Sequence, residues 1–296
     1  MMASYGRLAA LLAACAVGVC AQEVAGFWRN TLERLAAEPV EATVKDLREP
    51  LPYKTYEVMY RSLGGARVRA LLAMPIGVAG PVPAIVTVPG YGGLQQGIML
   101  AECQRGYAIL QVFPRTVEGE KLTYGIARPE GAYYQLAYAD VIRGIDYLVS
   151  RKDVDAGRIG IAGTSQGGGI SLAVASLDRR VKAVSAHVPF LCDFRQAART
   201  EGSLVKQILD KAGKNDDAAL GTLDYFDPLR LVGELRVPTV VSAGGMDKVC
   251  PAGTIRAVYD RIPGVKMLFH DPELVHTTSL GFYEVMWVWL DRYLKR

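Results

Sequence analysis

Short apolar runs punctuate the chain and predict strands that are buried on both faces. They span residues 83–88, 107–113, 159–162, 181–187, 237–243 and 265–270. Ahead of them, apolar side chains alternate with other residues over 56–60 and 68–74, on either side of Gly64-Gly65. This alternation around two glycines predicts an antiparallel hairpin.

Segments of helical periodicity lie between the apolar runs. Apolar residues recur at helical spacing over 134–150, which predicts a crossover helix, and residues 282–294 are apolar nearly all round, which predicts a largely buried closing helix. A surface helix is expected around 27–37. Residues 188–226 interrupt the alternation, with one helix near 204–211, and are expected to form a small lid insertion. The pattern predicts an α/β fold, a mainly parallel sheet covered by helices on both faces.

A glycine-rich turn joins one apolar run to an apolar helix near the middle of the chain. Its sequence, Gly163-Thr164-Ser165-Gln166-Gly167, has a small residue two positions before and two positions after the serine. A nucleophile elbow requires this spacing, because the tight strand-to-helix turn holds the serine hydroxyl clear of the sheet. Ordinary glycine-rich turns show the same letters by chance. The strand before the turn and the helix after it favour Ser165 as a nucleophile.

A serine hydroxyl becomes a good nucleophile only when a neighbouring base takes its proton. The chain contains three histidines. His276 lies in the loop after the last predicted strand, which can carry it back over Ser165, so it is the predicted base. His270 ends that strand and is the alternative. His187, at the end of the strand after the elbow, is expected to be structural.

An acidic residue must orient the base. Asp247 lies in the loop just past the buried strand at 237–243, whereas Asp271 follows the last strand and is the weaker candidate. The chain order Ser165, Asp247, His276 is the order found in the α/β-hydrolase fold. We therefore predict this fold with these three residues as its catalytic triad.

The oxyanion of an acyl-transfer intermediate needs backbone donors. The residue after the nucleophile supplies one, the N–H of Gln166, and the loop after an earlier strand supplies the other, the N–H of Tyr91. Glycines flank Tyr91 on both sides, and its ring is expected to line the acyl site. The sequence has no HExxH, CxxC or GxGxxG pattern at the expected places, so neither a metal nor another cofactor is predicted.

The first residues have the form of a targeting segment. Arg7 is the only charge before an apolar run at 8–19 that is too short to span a bilayer, and small residues precede Gln22. We predict a signal peptide over residues 1–21 and a secreted or periplasmic protein formed by a single domain, residues 22–296. A lipoprotein signal that would lipidate Cys15 is the alternative. No other stretch is predicted to span a membrane.

Net charge and cysteine content bear on possible partners and on disulfide bonds. The formal net charge of +4 falls to +3 without residues 1–21, which hold Arg7 and no acidic residue, and the basic residues form no run. A nucleic-acid partner is therefore not expected. The mature chain keeps Cys103, Cys192 and Cys250, enough for at most one internal disulfide, and the sequence does not decide whether any two of them pair.

Three segments resemble those of one family. They are Gly90-Tyr91-Gly92-Gly93, Ser165-Gln166-Gly167-Gly168-Gly169 and residues 246–251 around Asp247. From about residue 53 onward the chain resembles the acetyl xylan esterase / cephalosporin C deacetylase family of α/β-hydrolases. The resemblance implies an esterase that deacetylates carbohydrates with Ser165, Asp247 and His276 as its triad. Because the family is hexameric, a homo-oligomer is among the implied partners.

These observations predict a secreted serine carboxylesterase that acts through an acyl-enzyme on a small-molecule or oligosaccharide ester. The first alternative is a peptidase of the prolyl-oligopeptidase type. Such a peptidase would carry a propeller domain, and the roughly 50 residues before the sheet leave no room for one. The second alternative is a non-catalytic binding protein, which would be expected to lose part of the triad or the elbow glycines.

Overall fold

The computed structural model describes residues 20–93, 98–277 and 279–295, and its centre is one nine-stranded sheet. The strands are Thr43–Asp46 (β1), Tyr53–Arg61 (β2), Arg67–Pro75 (β3), Val82–Val88 (β4), Ala108–Phe113 (β5), Val154–Thr164 (β6), Val181–His187 (β7), Thr239–Gly244 (β8) and Lys266–Asp271 (β9). Their order in the sheet is β1-β2-β3-β5-β4-β6-β7-β8-β9. Pairing is antiparallel from β1 to β5 and parallel from β5 to β9. The prediction of a mainly parallel sheet is confirmed.

Helices cover both faces of this sheet. They are Ala21–Ala37 (α1), Tyr133–Val149 (α2), Gln166–Leu177 (α3), Phe194–Ala197 (α4), Leu204–Lys211 (α5), Asp217–Leu223 (α6), Pro228–Leu231 (α7), Ala252–Arg261 (α8) and Leu280–Leu294 (α9). Ile85 of β4 packs in the cluster that contains α9, whereas its neighbour Val86 packs in the cluster that contains α1, α2 and α3. Successive side chains of a strand point to opposite faces. Both faces are covered here, so both residues are apolar and buried.

The first three strands extend the sheet on its antiparallel side. Gly64 and Gly65 have φ of 73° and 75° and form the turn of the predicted β2–β3 hairpin, which is confirmed. Strand β1 pairs with the outer edge of β2, and all its residues are exposed. A strand with no buried face carries no apolar signal, so no pattern in the sequence indicated it.

The closing helix differs from the prediction of a largely buried element. Phe282, Met286 and Leu290 are buried against the sheet, but Val288 is 71% exposed. The reason lies in the packing. One side of α9 lies on β6, β7 and β8, so its opposite side faces solvent.

The insertion over residues 188–226 is packed into the same core as the helices. Its helix α5 lies where the sequence predicted one, and Phe194, Leu209 and Phe226 are buried. The carboxylate of Asp227 accepts hydrogen bonds from the N–H groups of Asp193 (3.0 Å) and Phe194 (2.7 Å). These bonds tie the end of the insertion to its beginning.

Helix α1 is held to this core by one aromatic side chain. The helix starts at Ala21, ahead of the residue 27 where the sequence placed its beginning. Trp28 Nε1 donates to the carbonyl oxygen of Tyr225 (2.8 Å), and its ring stacks on Tyr138 at 5.4 Å and meets Phe226 edge-on. The predicted signal peptide overlaps the start of α1, and its residues 1–19 lie outside the described residues.

We expect Trp28→Ala to lower the free energy of unfolding by about 3–5 kcal/mol, because it leaves a cavity and an unpaired carbonyl group between α1, α2 and the insertion. Val288→Ala, on the exposed side of α9, should change the same free energy by no more than about 0.5 kcal/mol. Urea unfolding followed by circular dichroism measures both variants. Equal midpoints would contradict the anchoring role of Trp28.

Candidate active site

Ser165 lies at the sharp turn between β6 and α3. Its backbone has φ 56° and ψ −118°, a conformation that residues with side chains rarely adopt. Two hydrogen bonds hold it there. The N–H of Ser165 donates to the carbonyl oxygen of His187 (2.9 Å), and its own carbonyl oxygen accepts from the N–H of Phe190 (2.9 Å). The end of β7 and the first residues of the insertion therefore support the strained turn.

The elbow glycines are required by close backbone contacts. A Cβ on Gly167 would lie 2.0 Å from the carbonyl oxygen of Val88, and one on Gly169 would lie 2.0 Å from that of Phe190. A Cβ on Gly163 would lie 2.4 Å from the carbonyl carbon of Gly167. Any side chain at these positions would push α3 away from the loop after β4 or from the insertion.

Three polar side chains from three loops meet at this turn. His276 Nε2 lies 3.0 Å from Ser165 Oγ, and His276 Nδ1 lies 2.7 Å from Asp247 Oδ2. Asp247 is buried, and its Oδ1 accepts the N–H of Cys250 at 2.8 Å. Because the carboxylate only accepts hydrogen bonds, the proton of His276 lies on Nδ1 and Nε2 is free to accept the serine proton.

The other sequence candidates lie elsewhere. His270 is exposed at the end of β9, and within the described residues no hydrogen bond joins it to Ser165. Asp271 caps its own loop, where its Oδ1 accepts the N–H of Glu273. His187 is buried against the ring of Phe282 at 4.5 Å. Burial lowers the pKa of His187 to about 3, so its ring stays neutral, as expected of a structural histidine.

The two expected oxyanion donors lie on adjacent segments. Gln166 begins α3, and Tyr91 follows β4. A Cβ on Gly167 would also lie 3.1 Å from the carbonyl oxygen of Pro89, so the loop after β4 passes close to the start of α3. Within the described residues neither N–H donates to another backbone group outside the helices and strands.

A lysine that the sequence analysis missed fixes the Tyr91 loop. Lys121 Nζ donates to the carbonyl oxygen of Tyr91 (2.7 Å), and the next residue, Leu122, donates its N–H to the Tyr91 hydroxyl (3.0 Å). On its other side, the Tyr91 ring meets Phe190 edge-on at 5.6 Å. Burial lowers the pKa of Lys121. Lys121 is 30 residues away in sequence and no motif surrounds it, so only the fold reveals the contact.

Cys250 is the second residue that the sequence analysis missed. Besides its N–H bond to Asp247, its thiol lies within 4.8 Å of the donor atoms of Asp247 and His276. Burial, with the nearby charge of Asp247, raises the thiol pKa well above its usual value, so the group stays protonated. Cys103, Cys192 and Cys250 are all free, which answers the question of pairing. Cys250 is only three positions from Asp247, and this spacing was the available signal.

Comparison with known proteins identifies the family. The model of the acetyl xylan esterase family matches residues 19–293. The chain belongs to the acetyl xylan esterase family. The predicted class, a serine hydrolase that acts on carboxylic esters, is therefore confirmed at the level of the family. The chain is also 28% identical over 178 residues to acetyl esterase Axe7A of Xylanibacter ruminicola. That alignment covers 60% of this chain and 40% of the relative, so the chain spans about two fifths of its length.

Solved structures agree with this family. The acetyl xylan esterase of Paenibacillus sp. R4 is 28% identical, with a TM-score of 0.83, over 90% of this chain and 93% of that one. Acetyl xylan esterase 1 of Thermoanaerobacterium sp. shares the fold, at 22% identity and a TM-score of 0.85 over 93% and 94% of the two chains. An acylaminoacyl peptidase of Pyrococcus horikoshii shares the fold more distantly, at 18% identity and a TM-score of 0.66, over 83% of this chain but 42% of that one. The predicted α/β-hydrolase fold is confirmed.

We expect Lys121→Met to lower kcat/KM for an acetyl ester about tenfold, the equivalent of about 1.4 kcal/mol of transition-state stabilisation. The loss should fall mainly on kcat, because the Tyr91 loop would hold its N–H less well in the transition state. Lys152→Met, at an exposed position, is the matched control and should leave the rate unchanged. A loss confined to KM would show that Lys121 binds substrate instead.

Proposed function

We propose that this protein is an exported serine esterase that removes acetyl groups from acetylated carbohydrate, with xylan as the polymer that the family indicates. The observation that carries the proposal is the unbroken hydrogen-bond chain from Ser165 through His276 to Asp247. A binding protein on the same scaffold would have no need to keep a strained serine in contact with a buried acid–base pair.

The proposed reaction has two halves. His276 Nε2 takes the proton of Ser165 as Oγ attacks the ester carbonyl, and the N–H groups of Tyr91 and Gln166 hold the resulting oxyanion. The intermediate collapses when His276 gives the proton to the leaving sugar hydroxyl, which leaves Ser165 acetylated. A water molecule then attacks the acetyl group by the same route and releases acetate. Throughout, the charge of Asp247 stabilises the imidazolium form of His276.

Two rings near the nucleophile support acetyl as the acyl group. Phe190 donates its N–H to the carbonyl oxygen of Ser165, and its ring meets the Tyr91 ring edge-on at 5.6 Å. In this proposal the two rings close the acyl site against longer acyl chains.

Export and domain organisation form part of the same proposal. Residues 8–19 have the length and composition of a signal-peptide core. Of the described residues, cleavage after Ala21 would remove only the exposed Cys20 and Ala21. Among the described residues, no helix has the length and apolar character needed to cross a membrane. Residues 22–296 would then form a single domain, with 188–226 as its lid insertion.

The peptidase alternative rests on the fold shared with the acylaminoacyl peptidase. This chain matches less than half of that protein. A prolyl amide substrate separates the two activities. Hydrolysis of the amide faster than of an acetyl ester would favour the peptidase.

Replacing triad residues tests the mechanism. We expect Ser165→Ala and His276→Ala each to lower kcat about 10⁴-fold or more, with no further loss in the double variant, because the two side chains act as a unit. His270→Ala is the matched control, since His270 lies on the preceding strand and is exposed; it should retain full activity. Steady-state hydrolysis of 4-nitrophenyl acetate provides the measurement. An inactive His270→Ala beside an active His276→Ala would reassign the base.

The acyl site predicts a profile of chain lengths. A further methylene gains about 0.8 kcal/mol where a pocket admits it, but costs about 1–3 kcal/mol of strain where the pocket is closed. We therefore expect kcat/KM to fall from acetate to butyrate and to be negligible at octanoate. Phe190→Ala should flatten this fall, whereas Phe226→Ala, an equal truncation elsewhere in the core, should keep it. A profile that rises through hexanoate would refute acetyl specificity.

A further inference from the structure

Three different metal-binding groups meet beside the nucleophile. Asp247, Cys250 and His276 each present one donor atom, and the three atoms lie within 4.8 Å of one another. Two of these residues are buried, and the His276 side chain is 23% exposed, which leaves a path from solvent to the cluster. The sequence analysis found no metal-ligand spacing, because these residues come from two separate loops.

The donor set suits a particular class of cation. A thiolate, an imidazole and a carboxylate are the ligands of Zn²⁺ and of softer ions such as Cd²⁺, whereas Mg²⁺ prefers oxygen ligands. Tetrahedral zinc holds such donors about 3.3–3.6 Å apart, from its usual bond lengths. The Asp247–His276 pair, now at 2.7 Å, would separate slightly, and the widest pair would close by about 1 Å. Side-chain rotation is enough for both movements.

We propose that Asp247, Cys250 and His276 form an inhibitory site for a thiophilic divalent cation such as Zn²⁺ or Cd²⁺. Binding forms a metal–sulfur bond to Cys250, a metal–oxygen bond to Asp247 and a metal–nitrogen bond to Nδ1 of His276. The thiol proton leaves to solvent, and the Nδ1 proton of the imidazole moves to Nε2. The bound imidazole no longer takes the proton of Ser165, and Asp247 no longer orients it. The site binds the cation whether or not the triad is catalytic, but its inhibitory effect rests on the proposed function.

The thiol of Cys250 distinguishes this site from an ordinary triad. A serine hydrolase with only serine, histidine and aspartate offers a cation one imidazole and one carboxylate, and those two are already engaged with each other. Here the backbone N–H of Cys250 donates to Asp247, and its thiol lies within 4.8 Å of the donor atoms of Asp247 and His276. The thiol is therefore a soft third ligand, placed where one cation would bind Asp247 and Cys250 of the same loop together with His276.

Inhibition of the full-length protein by ZnCl₂ in thiol-free buffer tests the proposal. We expect hydrolysis of 4-nitrophenyl acetate by the wild type to be inhibited reversibly, with recovery on adding EDTA and no inhibition by MgCl₂. Cys250→Ala should raise the inhibition constant at least about tenfold, because even losing a group that only supports a ligand costs about 10–100-fold in metal affinity. Each inhibition constant is measured against the variant's own rate without zinc.

Matched controls locate the effect. Cys103→Ser changes a buried free cysteine in the other core cluster, and His270→Gln changes an exposed histidine; both should keep the wild-type inhibition constant. Equal inhibition of wild type and Cys250→Ala would overturn the assignment of the site to Cys250, and no inhibition of the wild type by zinc would overturn its inhibitory role.

A spectroscopic measurement on the wild type does not depend on activity or on the folding of any variant. Co²⁺ bound through a thiolate should give a sulfur-to-metal charge-transfer band in the near ultraviolet, and Zn²⁺ should abolish the band by displacement. A cobalt band without zinc inhibition would support the cation site but count against the proposed catalytic triad. Absence of the band in the folded wild type would count against the site itself.

Discussion

The active site depends on the near absence of side chains at the start of helix α3. Gly167 and Gly169 bring this helix so close to its neighbours that a Cβ on either would fall 2.0 Å from a backbone carbonyl oxygen, on Val88 in one case and on Phe190 in the other. The loop that carries Tyr91 and the insertion that carries Phe190 therefore both rest on the first turn of the helix. Their positions relative to Ser165 follow from backbone contacts, which leave little freedom.

Backbone strain is concentrated in the same region and is held by hydrogen bonds. Ser165, Val188, Leu191 and Asp193 all have positive φ, of 56°, 36°, 75° and 48°. Such conformations cost on the order of 1–3 kcal/mol each in residues with side chains. Two sets of hydrogen bonds offset this cost: those between Ser165 and its neighbours, and those that Asp227 accepts from the start of the insertion. Burial of the whole segment also contributes. The insertion thus stabilises the elbow as well as covering it.

The sequence predicted the features that depend on local patterns of residues. Continuous apolar runs identified the parallel strands, and the small residues around Ser165 identified the elbow, because both signals depend on neighbours in the chain. Exposed strand β1 gave no signal, and the apolar composition of α9 concealed that Val288 faces solvent. Lys121 reaches the site only through a tertiary contact, which a single sequence does not display, and the only signal for Cys250 was its closeness to Asp247 in the chain.

The site uses both backbone groups and side chains, and the two respond differently to amino-acid substitution. The proposed oxyanion donors and the anchor of Asp247 are backbone N–H groups, so substitution of Tyr91, Gln166 or Cys250 leaves the donor itself in place. The proposed acid, base and nucleophile are side chains on three separate loops, and each is lost outright when replaced. Cys250 belongs to both kinds, because its N–H donates to Asp247 while its thiol lies within 4.8 Å of the donor atoms of Asp247 and His276. Replacing the side chain of Cys250 therefore tests the proposed sensitivity to metal ions while keeping the N–H that orients Asp247. No other residue of the described site combines these two roles.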